Sequence, residues 1–311
     1  MNKKVNLIIG SGVLGAYLSA NLIKKKEKVI VTKRSLRKKT HNYNYLKIQK
    51  KVKFEKLDIK NKTSIHKIIN KYKPEKIFYF AGQSSIPKSL KSPKETFQSH
   101  YNGTKNFLDV LKEKNLKIKF FKANSGYIFS PNKGQIDLNC NFSANKNPYV
   151  KAQKKSFKLL KKYRQFGLNL SNLVFMQVES PLRPKDFLIK KVCLGAKNRK
   201  KITVGNINTY RDYSWITEIV KAILLTTKLS SKDFIISTSR KISGKEILAT
   251  AYKLNKLDFK KYYSVNQKFY RNNEDKILMG SIKNSSYLKK NFNFRFKIFG
   301  NSLIKKMYKS L

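Results

Sequence analysis

The chain has 311 residues, with 70 Lys and Arg against 17 Asp and Glu and a formal net charge of +53. At 40% apolar and 12% aromatic it can bury a substantial core, which excludes a disordered chain, and its two cysteines exclude a disulfide-framed miniprotein. No basic run exceeds three residues (KKK at 24–26, RKK at 37–39 and 199–201), so the charge reads as a lysine-studded solvated surface rather than a nucleic-acid surface.

Along the chain, short β-branched and aromatic runs alternate with amphipathic stretches. The run LIIGSGVLGAYLSANLI near the N-terminus has the apolar character of a signal peptide. Its glycines, serines and asparagine fit a strand, a glycine turn and a helix better, so a cytoplasmic, membrane-free protein in a reducing compartment is expected. Strands are expected at 5–9, 28–32, 52–57, 76–81, 118–123, 172–176 and 233–237. Helices are expected at 13–26, 63–72, 95–114, 149–166, 186–198 and 214–227, with Ile65, Ile68, Ile69 and Tyr72 on one stripe. Strands alternating with helices of this length predict an α/β fold, a Rossmann-type doubly wound parallel sheet. After about residue 240 the rhythm loosens into a smaller C-terminal lobe.

Gly10-Ser11-Gly12-Val13-Leu14-Gly15 follows the first strand and opens the first helix, the context in which GxGxxG predicts dinucleotide binding. Gly10 permits the tight turn, Gly12 lets backbone approach a pyrophosphate, and Gly15 lets helix meet strand. The second strand ends without the Asp or Glu that a free ribose 2′-hydroxyl favours. Lys33, Arg34 and Arg37 surround Ser35 instead, which suits a 2′-phosphate and hence NADP, with NAD the alternative. Asp58, after the third strand, is placed to meet the adenine edge.

The segments YFAGQSS (79–85), HYNGTKNFLDVL (100–111), ANSGYIFS (123–130), PYVKAQ (148–153), VESPLRP (178–184) and NTYRDY (208–213) occur in that order. Together they resemble the extended short-chain dehydrogenase/reductases of the NAD-dependent epimerase/dehydratase family, and among these the GDP-mannose 4,6-dehydratases. The resemblance implies a nucleotide-sugar substrate, GDP-mannose in the nearest case, and oxidation at the sugar C4 followed by dehydration. It implies a cofactor-binding domain over 1–176, with a return segment about 212–240, and a substrate-binding lobe from 177–211 and 241–311. It also implies that Ser125 and Tyr149 are catalytic. The cofactor would be held by the glycine turn, Arg34, Ser35, Asp58, Ala81, Gln83 and Gln153, and the nucleotide sugar by Gln177, Arg211, Arg271 and Glu274.

Three positions depart from that pattern. The glycine turn is one residue shorter than the family's usual spacing. Tyr127 stands where the dehydratases carry a glutamate that shuttles protons during elimination. Gln153 stands four residues after Tyr149, where the family carries a lysine that stabilises the phenolate. An unperturbed tyrosine, with a pKa near ~10, is about one part in a thousand ionised at neutral pH. Losing a cationic partner costs ~2–4 kcal/mol at the barrier, roughly a hundredfold to a thousandfold in rate. Lys151 and Lys154 do not share the tyrosine's face of a regular helix. An epimerase or ketoreductase, which needs no such glutamate, and a catalytically impaired binding homologue are therefore the alternative readings. His100 is either a proton donor at the cofactor pocket or a packed residue. A homodimer through the helices at 95–114 and 149–166 would need Glu95, Asp109 and Glu113 to face the basic surface of the second helix.

Overall fold

A computed structural model describes residues 4–37, 40–270 and 274–311. Seven strands form the central sheet: β1 (Val5–Ile9), β2 (Lys28–Lys33), β3 (Lys53–Lys56), β4 (Lys76–Tyr79), β5 (Lys119–Ser125), β6 (Leu170–Phe175) and β7 (Phe234–Ile236). Their order is β7-β6-β5-β4-β1-β2-β3. The pairs β1–β2, β2–β3, β1–β4 and β4–β5 are parallel. The order reverses between β1 and β4, which is where doubly wound sheets open a crevice for ligands.

Four helices flank the sheet: α1 (Val13–Lys24), α2 (Lys62–Tyr72), α3 (Gly103–Glu113) and α4 (Pro148–Arg164). The stripe of Ile65, Ile68, Ile69 and Tyr72 on α2 is buried as its period predicts. It packs with Leu7, Ile77, Tyr79, Phe107 and Phe120 in the core on one side of the sheet. Helix α4 begins with Asn147, whose side chain accepts the Val150 N–H, followed by Pro148 at a position where a missing N–H costs nothing.

The long helix expected over 95–114 is not uniform. Residues Gln98–Asn102 form a π-helical turn between a short helix, Pro93–Phe97, and α3. Such a turn breaks the α ladder and frees carbonyls that must find other donors. The Ser99 carbonyl accepts from the Tyr79 hydroxyl at 2.6 Å, and the His100 carbonyl from Thr104 Oγ1 at 2.8 Å.

The chain divides into two compact units: Met1–Ile128, Phe142–Val174 and Ile223–Phe234 in the first, and Phe129–Asn141, Phe175–Ala222 and Ile235–Leu311 in the second. Compared with the boundaries read from sequence, the return segment is shorter and residues 129–141 join the second unit. Pairing explains the latter, because Gln135 and Ile136 lie parallel to Met279 and Gly280 in a four-stranded sheet. Helices Leu188–Lys197, Gly244–Lys253 and Gly300–Ser310 enclose the second unit's own core, which includes Val192, Trp215, Leu248 and Met307. Asp212 is a buried hub there. Its carboxylate accepts from Thr238 N–H and Oγ1, from Ser239 N–H and from Gly280 N–H, while burial pushes its pKa up to about 6.

The acids expected at a dimer contact are engaged within the chain: Glu95 by Arg34, Asp109 by Lys62 and Lys105, and Glu113 by Lys62 and His66. A different ion pair ties α4 to the sheet edge. Arg164 pairs with the buried Asp233, which also accepts from Asn172 N–H at 2.8 Å and Asn172 Nδ2 at 3.0 Å. Removing the carboxylate strands a guanidinium and two donors. Asp233→Ala is expected to lower unfolding free energy by about 2–4 kcal/mol in urea titrations.

Candidate active site

The glycine turn is tight at two of its glycines and open at the third. Gly10 has φ +108°, and a Cβ there would lie 3.0 Å from the Ala81 backbone nitrogen. A Cβ on Gly15 would sit 2.5 Å from the Gly10 carbonyl oxygen, so only glycine lets α1 meet the turn. At Gly12 a Cβ would meet nothing within 4 Å, and Gly12 caps α1 without a side-chain acceptor. The open face and the uncapped first-turn amides fit a phosphate group.

Beyond β2, Arg34 is exposed and paired with Glu95, and Ser35 is half-buried. Exposed pairs of this kind are worth at most about 1 kcal/mol, so the guanidinium is cheaply released. Lys33 lies 5.4 Å over the Phe54 ring. Asp58 is exposed and accepts the Lys60 N–H at 3.0 Å, which closes its own turn. After β4, Ala81 and Gln83 are half-buried. Gln83 bonds Thr96 and the Ser85 N–H through its side chain.

Tyr149, Gln153, Ser125 and His100 are all buried. Ser125, at the end of β5, accepts the Tyr127 N–H at 3.3 Å, with Tyr127 in the following single turn. The His100 ring stands edge-on to Tyr149 with centroids 5.5 Å apart. Its Nε2 is 2.9 Å from the Gln83 carbonyl oxygen, which can only accept, so Nε2 carries the proton. Nδ1 is then an acceptor, and the Gln153 amide donates to it at 3.3 Å. This orients Gln153 and leaves its Oε1 buried without a hydrogen-bond partner. The Gln153 carbonyl and the Asn124 side chain both accept from Ser156, and Asn124 donates in turn to Asn172.

Burial, the nearby Lys122 ammonium and, in the opposing sense, the Gln83 carbonyl together bring the His100 pKa down to about 3. Buried and hydrogen-bonded at both ring nitrogens, His100 is packed as a neutral imidazole. Gly82, at φ +126°, makes room for it, since a Cβ there would fall 2.2 Å from the ring. Lys154 donates to the Ser143 carbonyl at 3.0 Å, away from the tyrosine's face as the helix register predicts.

Lys122 is the residue that sequence reasoning missed. It lies on β5, 1% exposed, donating to its neighbour's carbonyl (Ala123) at 2.6 Å, with its ammonium 5.4 Å over the Tyr79 ring. Burial pulls its pKa down to about 7, which disfavours the ammonium by on the order of 5 kcal/mol.

In the second unit, Arg211 is 5% exposed and meets Glu274 at 2.6 Å, so two of the residues expected to hold nucleotide are neighbours. Gln177 lies on a short strand paired with Tyr213, and Arg271 lies outside the described residues. Glu179, in the ESP segment, is buried with Oε2 unpartnered and Oε1 3.9 Å from Arg183 Nε. Burial pushes its pKa up to about 7 despite the opposing charges of Arg183 and Lys190. Among the described residues no group of three potential metal ligands occurs, and no helix is long and apolar enough to cross a membrane.

Substitutions in the glycine turn are expected to separate dinucleotide binding from stability. Gly12→Ala is expected to keep stability within about 1 kcal/mol while weakening dinucleotide affinity at least about tenfold. Gly15→Ala is expected to lose about 1–3 kcal/mol of stability; calorimetry and fluorescence titration read the pair. Native Glu179 keeps its proton up to about 7, whereas the unfolded side chain releases it near 4.5. Stability therefore falls as pH rises through that window, and the cost is complete above it. Glu179→Gln is expected to gain on the order of 3 kcal/mol at pH ~8 and nothing at pH ~4 in denaturant melts.

Comparison with known proteins bears on these features. GDP-mannose 4,6 dehydratase 1 of Arabidopsis thaliana is 23% identical over 324 residues, spanning 98% of this chain and 89% of that protein. The GDP-mannose 4,6 dehydratase of Drosophila melanogaster is 27% identical over 274 residues, spanning 80% of this chain and 68% of that protein. Among solved structures, the fold matches UDP-glucose 4-epimerase from Thermotoga maritima with UDP-glucose, at TM-score 0.83 and 17% identity over 98% of both chains. It also matches dTDP-glucose 4,6-dehydratase from Bacillus anthracis in complex with NAD, at TM-score 0.82 and 18% identity over 98% of this chain and 96% of that one. The GDP-mannose 4,6 dehydratase family model matches residues 7–307, nearly the whole chain, and the protein therefore belongs to that family.

Proposed function

We propose that this protein oxidises the C4 hydroxyl of a nucleotide-linked hexose, with GDP-mannose the first candidate substrate and Tyr149 the proton acceptor. The observation that carries the reading is the buried polar assembly beneath Tyr149. His100 fixes Gln153 through Nδ1, and the Gln153 Oε1 is left as an acceptor for a ligand hydroxyl. A nicotinamide dinucleotide, when bound, supplies the hydride acceptor.

The chain's own residues would divide the remaining work. Tyr149 takes the hydroxyl proton as the C4 oxygen becomes a ketone, and the Ser125 hydroxyl holds that oxygen. Gln153 Oε1 accepts from a cofactor ribose hydroxyl, a contact that needs no charge. The basic end of β2, with Lys33, Arg34 and Ser35, favours a 2′-phosphate and so NADP, with NAD the alternative; relatives of the fold have been crystallised with NAD. In the second unit, Arg211 is assigned to the diphosphate and Glu274 to the nucleotide ribose, in keeping with the family to which the chain belongs.

A second reading has its own observation. Tyr127 occupies the place of the carboxyl group that would carry protons during elimination, and a phenol is a poor base toward a carbon acid. On that reading the 4-keto sugar is epimerised or reduced rather than dehydrated.

Purified protein given NADP and GDP-mannose is expected to yield a 4-keto sugar, detected by borohydride trapping and mass spectrometry. Tyr149→Phe is expected to cut the rate at least about a hundredfold with little change in nucleotide-sugar affinity. Failure to alter any GDP-, UDP- or dTDP-hexose with either dinucleotide would leave a binding protein instead. A trapped 4-keto product that retains its 6-hydroxyl selects the second reading.

A further inference from the structure

We propose that Lys122 supplies from β5 the positive charge that α4 does not carry at position 153, its field reaching the Tyr149 phenol across the neutral ring of His100. The inference rests on reading Tyr149 as the proton acceptor, and it makes Lys122 a positioning residue, since it acts through Tyr149.

Geometry is the main support. Lys122 pairs in register with Tyr79 across β5 and β4, and its ammonium lies over the Tyr79 ring. The Tyr79 hydroxyl holds the Ser99 carbonyl of the π-helical turn, and the next residue of that turn is His100. His100 meets Tyr149 edge-on and Gln153 through Nδ1. These six residues, all buried but the half-buried Ser99, thus form one continuous group on β4, β5, the π turn and α4.

Cost is the second argument. A lysine 1% exposed on a central strand forms no ion pair among the described residues, and burial alone draws its pKa toward neutrality. A core built only for stability is better served there by an apolar side chain. Charge in so dry a place acts over a longer range than at the surface. At His100 the same charge is the second cause, after burial, of the lowered imidazole pKa.

The titratable groups of this assembly are Tyr79 from β4, His100 from the π turn and Tyr149 from α4. Tyr79 is pushed up by burial and His100 is neutral at all working pH values. Between Lys122 and His100, the charge that changes near neutrality is that of Lys122, present below about 7 and lost above it.

With only three histidines in the chain, selective 15N-histidine labelling gives a spectrum simple enough to follow His100. Tyr149 is followed through its labelled Cζ, assigned by its loss in Tyr149→Phe. In the wild-type protein both probes are expected to shift with one shared midpoint near pH ~7, and Lys122→Met is expected to abolish that step. In turnover, the wild-type to Lys122→Met ratio of hydride-transfer rates should be at least about tenfold below pH ~7 and decline above it. Lys122→Arg, which stays charged, should flatten that decline.

The wild-type titration needs no variant, so it remains decisive if Lys122→Met fails to fold. Absence of the shared step at Tyr149, or a rate ratio independent of pH, overturns the proposal. If no nucleotide sugar is turned over, the catalytic reading of Tyr149 fails by itself, and the two labelled probes still decide whether Lys122 sets the phenol's field.

Discussion

A single hydrogen bond orders the polar assembly around Tyr149: His100 Nε2–H donates to the Gln83 carbonyl oxygen. A carbonyl can only accept, so the bond fixes the imidazole tautomer, and the tautomer fixes which end of the Gln153 amide faces the ring. The opposite end of that amide is then an acceptor held in a dry pocket. Reversing the tautomer would turn Gln153 around and offer a donor instead. The position of the ring depends on Gly82, whose missing side chain is the space the imidazole fills. It depends equally on the π turn, which aims His100 at the sheet.

The π turn is a local expense with identifiable compensation. An extra residue in a helix frees carbonyls, and here Tyr79 and Thr104 satisfy them. Tyr79 is thereby tied to the turn at one end while its ring meets the ammonium of Lys122 on its face. Packing and electrostatics in this region share the same atoms. The second unit uses a different solution for buried charge. Asp212 is surrounded by backbone and hydroxyl donors, so its carboxylate is held by dipoles rather than by a counter-ion.

Much of this is legible in the sequence, and the remainder is hidden for physical reasons. The glycine turn and the isoleucine stripe of α2 follow from backbone sterics and helical period, which are local properties. The displacement of Lys154 from the tyrosine's face is likewise register arithmetic. Lys122 gives no signal, because β5 has Phe120, Phe121 and Lys122 all buried and a strand covered on both faces shows no alternation. In a chain with so many lysines, one more resembles a solvated rung. The π turn is invisible because a single inserted residue leaves composition unchanged and shifts the periodicity by less than the scatter of natural helices. Residues 129–141 read as part of the first unit because their pairing partner, Met279 and Gly280, lies far along the chain. Such nonlocal pairing leaves no trace in the spacing of nearby residues.

The interleaving of the two units also shapes how the molecule is made. The central sheet takes its edge strand from Phe234–Ile236, and the second unit reaches back to Gln135 and Ile136. No single backbone break can therefore release both units whole. Until that late strand is made, β6 has an open edge that presents a row of unpaired backbone groups.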